Sequence, residues 1–372
     1  MTLWKVSATE HNKSVMQRKK LDLALQGGGS HGAYTWGILE RLLEDPRIII
    51  DGICGTSAGA MNAVITAAGL QKGGRQGAID HLNDFWRRVA HLQTFAMVQP
   101  SAFDKFWGKD VMKLSPINNM MEYLATMYSP YQFNPLNINP LSYILDDMVD
   151  FEKLRSTRYN KLFICATNVR TSQAKVFDNE NMSLDAVLAS ACLPFIFQAV
   201  EIDGEAYWDG GYMGNPPLYP LIDNTRTSDI MIVQINPIRI PNVPKTVEEI
   251  RDRINGIAFN SSLIHDIRQI NLVRKMLDRG INIDGKFRDL FIHNIAPERL
   301  MAKLSSKTKL NADLKFLLKL KKYGKSAADH WLRENFDKIG NTSTCDIEEV
   351  FLSKTKTPIN QPNVAVDLDD VI

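Results

Sequence analysis

A glycine–serine turn between a buried strand and a small-residue helix constrains this chain more than any other feature. IIIDGICG (48–55) runs into Gly55-Thr56-Ser57-Ala58-Gly59, and SAGAMNAVITAAGL (57–70) continues from it. A short apolar run, broken only at Asp51-Gly52 and closed by glycine, reads as a buried strand. The helix after it carries enough small residues to be buried as well. Gly-x-Ser-x-Gly at such a junction is the pattern of a nucleophile elbow. The serine occupies a strained turn, and the flanking glycines let the chain pass close to its neighbours. Ser57 Oγ then stands at the carboxyl end of a strand and the amino end of a helix, whose dipole favours developing negative charge. The five-residue pattern is cheap by itself, so its weight comes from the strand and helix around it. The same grammar precedes it: LDLALQ (21–26) is a strand stopped by Gly27-Gly28-Gly29, and SHGAYTWGILERLLE (30–44) places Tyr34, Ile38 and Leu42 at helical spacing. Strand, glycine turn, helix, strand, sharp turn, helix is the arrangement of an α/β sheet.

Further strands are predicted at KLFICATNV (161–169), AKVFD (174–178), EAYWDGG (205–211), SDIMIVQINP (228–237) and RDLFIHNI (288–295). A helix is expected over 77–92, another over LDAVLASACLPFIF ending at Pro194, and a long amphipathic one over 248–277. Residues 95–133 are rich in Met, Phe, Trp and Tyr and read either as a cap or as an ordinary helical flank of the sheet. KTKLNADLKFLLKLKKYGK (307–325) mixes Leu with Lys at helical spacing, which suits an anionic bilayer or, about twice as often, a solvated helix with its leucines turned inward.

Composition narrows the function classes. Lys and Arg exceed Asp and Glu by 44 − 42 = +2 over 372 residues, so no global field marks a nucleic-acid partner. The four cysteines are scattered, without CxxC or zinc-type spacing, which argues against a disulfide scaffold or a structural metal. The first twenty residues hold no apolar core of a signal peptide, and no run of about 18 apolar residues marks a spanning helix. A cytoplasmic location, with any membrane contact peripheral, is the expectation; export without an N-terminal signal stays open.

Gly27-Gly28-Gly29-Ser30-His31-Gly32 admits two readings. It satisfies GxGxxG, so bare amides at a helix start fit a dinucleotide pyrophosphate. That site wants an acid at the end of the next strand, where this chain has the serine turn, and Asp51 lies earlier. The same amides beside a serine make an oxyanion hole, whose single donors are typically worth about 3–4 kcal/mol. A serine also needs a base. None of the seven histidines stands in a recognisable loop motif, while Asp209 sits on a glycine turn, Trp208-Asp209-Gly210-Gly211, ahead of Asn215-Pro216-Pro217. In isolation such a turn is plain structure in roughly three cases of four.

Together, LALQGGGSHGAYTWGILERL, GICGTSAGAMNA and YWDGGYMGNPPL resemble the glycine loop, serine elbow and aspartate motif of the patatin-like phospholipase family, with ASACLPFIF between them similar to its Ala-Ser-x-x-x-Pro-x-x-Phe helix end. The resemblance spans about residues 20–240. It implies a three-layer α/β/α sandwich with a central, mostly parallel sheet, here followed by a helical C-terminal extension. It also implies a lipid acyl hydrolase of phospholipase A or lysophospholipase type, without cofactor or metal, working on membrane or micellar lipid. Ser57 would be the nucleophile and Asp209 the base. Gly27, Gly28 and Gly29 would supply the oxyanion donors, supported by Gly32, Gly55, Gly59, Gly210 and Gly211. An aspartate near its usual pKa of about 3.9 is a poor base; burial against Trp208 and Tyr207 would raise it. One departure is His31, where the family usually carries Arg or Lys. The expected organisation is a flexible segment over 1–20, a catalytic domain over 21–240 with a possible cap insertion at 95–150, a helical extension over 241–350 packed on the core, and a polar tail over 351–372. An α/β-hydrolase esterase using a late histidine (His265, His293 or His330), and a non-catalytic lipid- or nucleotide-binding module, are the alternatives.

Overall fold

The computed structural model describes residues 17–95, 128–157, 160–282, 287–297, 300, 304 and 306–353. Strand β1 (Lys19–Leu25) leads through the glycine turn to helix α1 (Gly32–Glu44), then β2 (Ile48–Gly55) and α2 (Ala58–Phe95). After α3 (Pro140–Met148) and α4 (Phe151–Ser156) come β3 (Lys161–Asn168), β4 (Ala174–Phe177), α5 (Leu184–Ser190), β5 (Val200–Ile202) and β6 (Glu205–Asp209). Helix α6 (Tyr219–Asn224), β7 (Asp229–Val233), α7 (Val247–Asp278), β8 (Phe291–Ile295) and α8 (Leu314–Asn335) complete the series.

The strands form one sheet in the order β5-β6-β3-β2-β1-β7-β8, with β4 paired to β3. Its central pairs, from β3 through β2, β1 and β7 to β8, are parallel, and β4, β5 and β6 add antiparallel pairs. Successive side chains of a strand point to opposite faces. Accordingly Leu23, Leu25, Ile53 and Met231 enter one core with α1, α2, α5 and α8. Ala24, Cys54, Ile230 and Ile232 enter a second core with α6 and α7 on the other face. Helices therefore cover both faces of a mostly parallel sheet, as the sequence implied.

Several boundaries differ from expectation. The sheet begins at Lys19, inside the segment assigned to 1–20. Helix α2 runs on from the elbow to Phe95, broken at Gly73–Gly74, where Gly74 has φ 61. Helix α5 stops at Ser190, short of Pro194, because the chain turns through Ala191 and Cys192 to let the Asp209 N–H reach the Cys192 carbonyl (2.8 Å). Strand β8 lies beyond 240 yet belongs to the central sheet. Most of the aromatic stretch at 95–133 and of the polar tail lies outside the described residues.

The Leu/Lys stretch is not a bilayer helix. In α8, Leu317 and Leu320 are fully buried against the core that holds α1. Lys321 and Lys325 close on the buried Glu40 of α1 at 2.6 and 2.9 Å. Two glycines allow the approach: a Cβ at Gly37 would overlap the Lys321 carbonyl oxygen, and one at Gly324 the Tyr34 carbonyl oxygen. Gly324→Val should therefore cost about 1–3 kcal/mol or more through overpacking, read as a lowered urea midpoint at unchanged slope. A midpoint equal to wild type would contradict the close contact.

Candidate active site

Parallel pairing brings the two glycine turns together. Leu25 of β1 lies opposite Gly55 of β2 and, on its other side, opposite Val233 of β7, so the turns after all three strands emerge at one sheet end. Open α/β sheets place ligands beyond the carboxyl ends of their strands. There Ser57 adopts φ 55, the left-handed turn of an elbow, a conformation that costs a non-glycine residue about 1–3 kcal/mol unless its surroundings hold it. The Ser57 N–H donates to the Oγ of buried Ser190 (2.9 Å), and the Thr56 hydroxyl donates to the Gly214 carbonyl (2.6 Å). Gly27 presses on the serine so closely that an added Cβ would lie 2.6 Å from Ser57 Cβ. Gly32, Gly55, Gly59 and Gly210 likewise sit where a Cβ would strike a neighbour: Ala58, the Gly59 carbonyl, the Leu25 carbonyl and the Cys165 carbonyl respectively.

Asp209 ends β6, opposite Ala166 of the antiparallel β3, two residues past the Ile164 that faces Gly55. Its backbone is fixed by the Cys192 carbonyl and by the Thr167 hydroxyl, which donates to the Asp209 carbonyl (2.8 Å). The side chain is 1% exposed. Oδ1 accepts the Gly211 N–H (2.7 Å), and Oδ2 has no hydrogen-bond partner among the described residues. Burial raises its pKa from 3.8 to about 6, against the pull of the Gly211 amide, the Ser57 hydroxyl and the Lys309 ammonium. The carboxylate is thus within the influence of Ser57, buried, and still holds one oxygen unspent. A group with such a pKa is half-ionised near pH 6 and can take a proton at neutral pH.

The glycine loop is less uniform than expected. The Gly27 N–H donates to Asn215 Oδ1 (2.7 Å) and is thus engaged within the protein. Among the described residues, the Gly28 and Gly29 amides make no hydrogen bond. Asn215 Nδ2, buried beside the loop, is likewise without a partner among them. The Gly27 carbonyl accepts from Asn236 Nδ2 (2.9 Å), and Gln26 Oε1 accepts the backbone amides of Ile235 and Asn236 (2.8 and 2.9 Å). Sequence reasoning passed over Asn215, Gln26 and Asn236; the only local signal was the Asn before Pro216-Pro217.

The candidate histidines of a triad have other surroundings. His293 is fully buried between Asp229 Oδ1 (3.0 Å) and Thr344 Oγ1 (2.9 Å). His330 faces Glu334 (3.3 Å), and His265 lines a surface cleft of α7 with Ile264 and Arg268. His31 bonds Thr308 Oγ1 (2.7 Å), and burial, with the nearby Lys309 charge, drops its pKa to about 3, so it is neutral. Asp51, the acid nearest the place a nucleotide site would need one, is instead paired with Lys20 (2.9 Å).

A model of a family described as patatin-like phospholipase matches residues 23–222, more than half of the chain. No curated protein matches. Among solved structures, VipD from Legionella pneumophila is similar at 15% identity and TM-score 0.42, over 90% of this chain and 73% of that one. A chain of the heterodimeric ExoU–SpcU complex from the type III secretion system of Pseudomonas aeruginosa is similar at 18% identity and TM-score 0.32, over 70% of this chain and 52% of its own.

Proposed function

The chain belongs to the patatin-like phospholipase family and is a lipid ester hydrolase; on that premise we propose that it cleaves phospholipid acyl esters with Ser57 as nucleophile, Asp209 as base, and the Gly28 and Gly29 amides as oxyanion donors. Asp209 takes the Ser57 proton as Oγ attacks the ester carbonyl. The carbonyl oxygen becomes the oxyanion, facing the Gly28 and Gly29 amides. Collapse breaks the C–O bond to the lysolipid, which leaves with the proton from Asp209. Water, deprotonated by the same carboxylate, then attacks the acyl-enzyme, and fatty acid departs as Ser57 is restored. General-base assistance of this kind is worth about 10²–10⁴ in rate.

The observation that carries this reading is the chemistry gathered at one sheet end: a serine held at φ 55, a buried carboxylate oxygen and two loop amides, neither the oxygen nor the amides bonded to a partner among the described residues. A histidine triad has less support, since His293 is bonded to Asp229, His330 is paired with Glu334, and His265 lines a surface cleft of α7. The glycine loop lacks the acid a nucleotide would use. Peripheral contact with the lipid surface is part of the proposal.

The test is product analysis on mixed phospholipid vesicles. Wild type should release fatty acid and lysophospholipid, and Ser57→Ala should lower release by about 10⁴-fold or more, as loss of a serine nucleophile does elsewhere. Equal release by Ser57→Ala, or no fatty acid from wild type, would overturn the reading.

A further inference from the structure

The glycine loop lacks its own basic residue, and a lysine from far along the chain stands beside it. Lys309 belongs to a 3-10 turn, Ser306–Leu310, just before α8 and well outside the matched span 23–222. Its carbonyl lies against Gly29 so closely that a Cβ there would overlap it, which, with φ +58, leaves glycine as the residue that fits. Its Nζ donates to Asn236 Oδ1 (2.8 Å), and Asn236 Nδ2 donates to the Gly27 carbonyl, so the ammonium is tied to the loop through one carboxamide. The same Nζ lies 5.9 Å from the centre of the Phe259 ring. That ring touches Gly211, where an added Cβ would lie 3.1 Å from it, and the Gly211 N–H holds Asp209. His31 meanwhile clasps the same turn through Thr308.

We propose that Lys309 is a positioning residue of the Ser57–Asp209 site, bringing from the C-terminal region a positive charge that His31 does not provide. The inference rests on the functional reading above and deepens it. Lys309 couples the glycine loop to the aspartate turn and favours the ionised carboxylate.

The groups around Asp209 leave few rivals for that part. Ser57, the Gly211 amide, Cys165 of β3, Cys192 after α5 and Tyr212 face it, and burial pushes the two thiols and the phenol upward, which keeps them neutral. Lys309 is a cation whose charge acts on Asp209. Burial lowers the Lys309 pKa from its ordinary value, and the carboxylates of Asp252 of α7 and of Asp209 only partly oppose that. His31, neutral, completes the set.

The experiment is the pH profile of kcat/KM on a soluble short-chain ester, with the full chain as wild type, Lys309→Met, Lys309→Gln and Lys309→Arg. An opposite charge near a carboxylate lowers its pKa, so removing the cation moves the acidic limb to higher pH, by about one unit. Both neutral variants should shift alike, and Lys309→Arg should return the limb toward wild type. A structural role alone would lower activity evenly across pH. An unmoved limb in whichever neutral variant folds, or a shift in Lys309→Arg as large as in Lys309→Met, overturns the proposal, as does failure of both neutral variants to fold while Lys309→Arg folds with a shifted limb. Asp209→Asn separates the two levels. If it keeps the wild-type limb, the base assignment is wrong; if it abolishes turnover while the lysine variants leave the limb in place, only the role of Lys309 falls.

Discussion

At pH 8, Asp209→Asn is expected to unfold at a higher denaturant concentration than wild type while hydrolysing ester about 10²–10⁴-fold more slowly. The two effects share one cause. Burial holds the Asp209 pKa at about 6 in the folded chain, against 3.8 as its ordinary value. Above pH 6 the folded protein therefore carries a buried carboxylate that the unfolded chain would ionise more easily, a cost of about 3 kcal/mol. As pH falls the cost shrinks, and below about pH 4 both states hold the proton and it is gone. Asparagine keeps an oxygen for the Gly211 N–H but carries no charge to desolvate. The stability gain of the variant should thus be full at pH 8 and vanish near pH 4, measured by urea unfolding at each pH. A variant less stable at pH 8, or a gain independent of pH, would contradict the burial of an ionisable base. A site that costs stability and returns activity is the usual exchange in enzymes.

Gly59→Ala is the second large effect, and it acts on the elbow rather than on the chemistry. A Cβ at Gly59 would overlap the Leu25 carbonyl oxygen of β1, a backbone atom that cannot move without breaking the pairing of β1 with β2 and β7. The start of α2 would have to lift from the sheet, and Ser57 with it. We expect a loss of about 3 kcal/mol, at the upper end for overpacking, and a proportionate loss of Ser57 reactivity. Gly256→Ala is the control: in α7 an added Cβ there meets nothing within 4 Å, and replacing a mid-helix glycine should stabilise by about 1 kcal/mol. If the two alanines behaved alike, the close approach at the elbow would be refuted.

What could be read from the sequence follows a physical rule. IIIDGICG was legible as β2 because a strand buried on both faces in a parallel sheet is a nearly continuous apolar run, and the residues at its end are close in sequence to the turn they form. The same holds for β3 and for the Asp209 turn. Three-residue β5, Val200–Ile202, is too short to leave a pattern. The end of α5 was misplaced because a long-range bond from Asp209, and not local propensity, sets it. The fate of the Leu/Lys helix depended on Gly37 and Gly324, almost 290 positions apart (324 − 37 = 287), each clearing space for the backbone of the other helix. Long-range pairing hid the most about the candidate site. Asn215 spending the Gly27 amide, and Asn236 and Lys309 bracing the loop, join residues from three distant stretches, and no local spacing signals such contacts.

The central claim is that one hydroxyl, at Ser57, is the nucleophile. Its most direct test is reaction of the folded chain with a fluorophosphonate, followed by digestion and mass mapping of the adduct. The account predicts a single phosphonylated peptide carrying Ser57, absent in Ser57→Ala and formed much more slowly in Asp209→Asn. An adduct on any other residue, or an unchanged yield from Ser57→Ala, would contradict it.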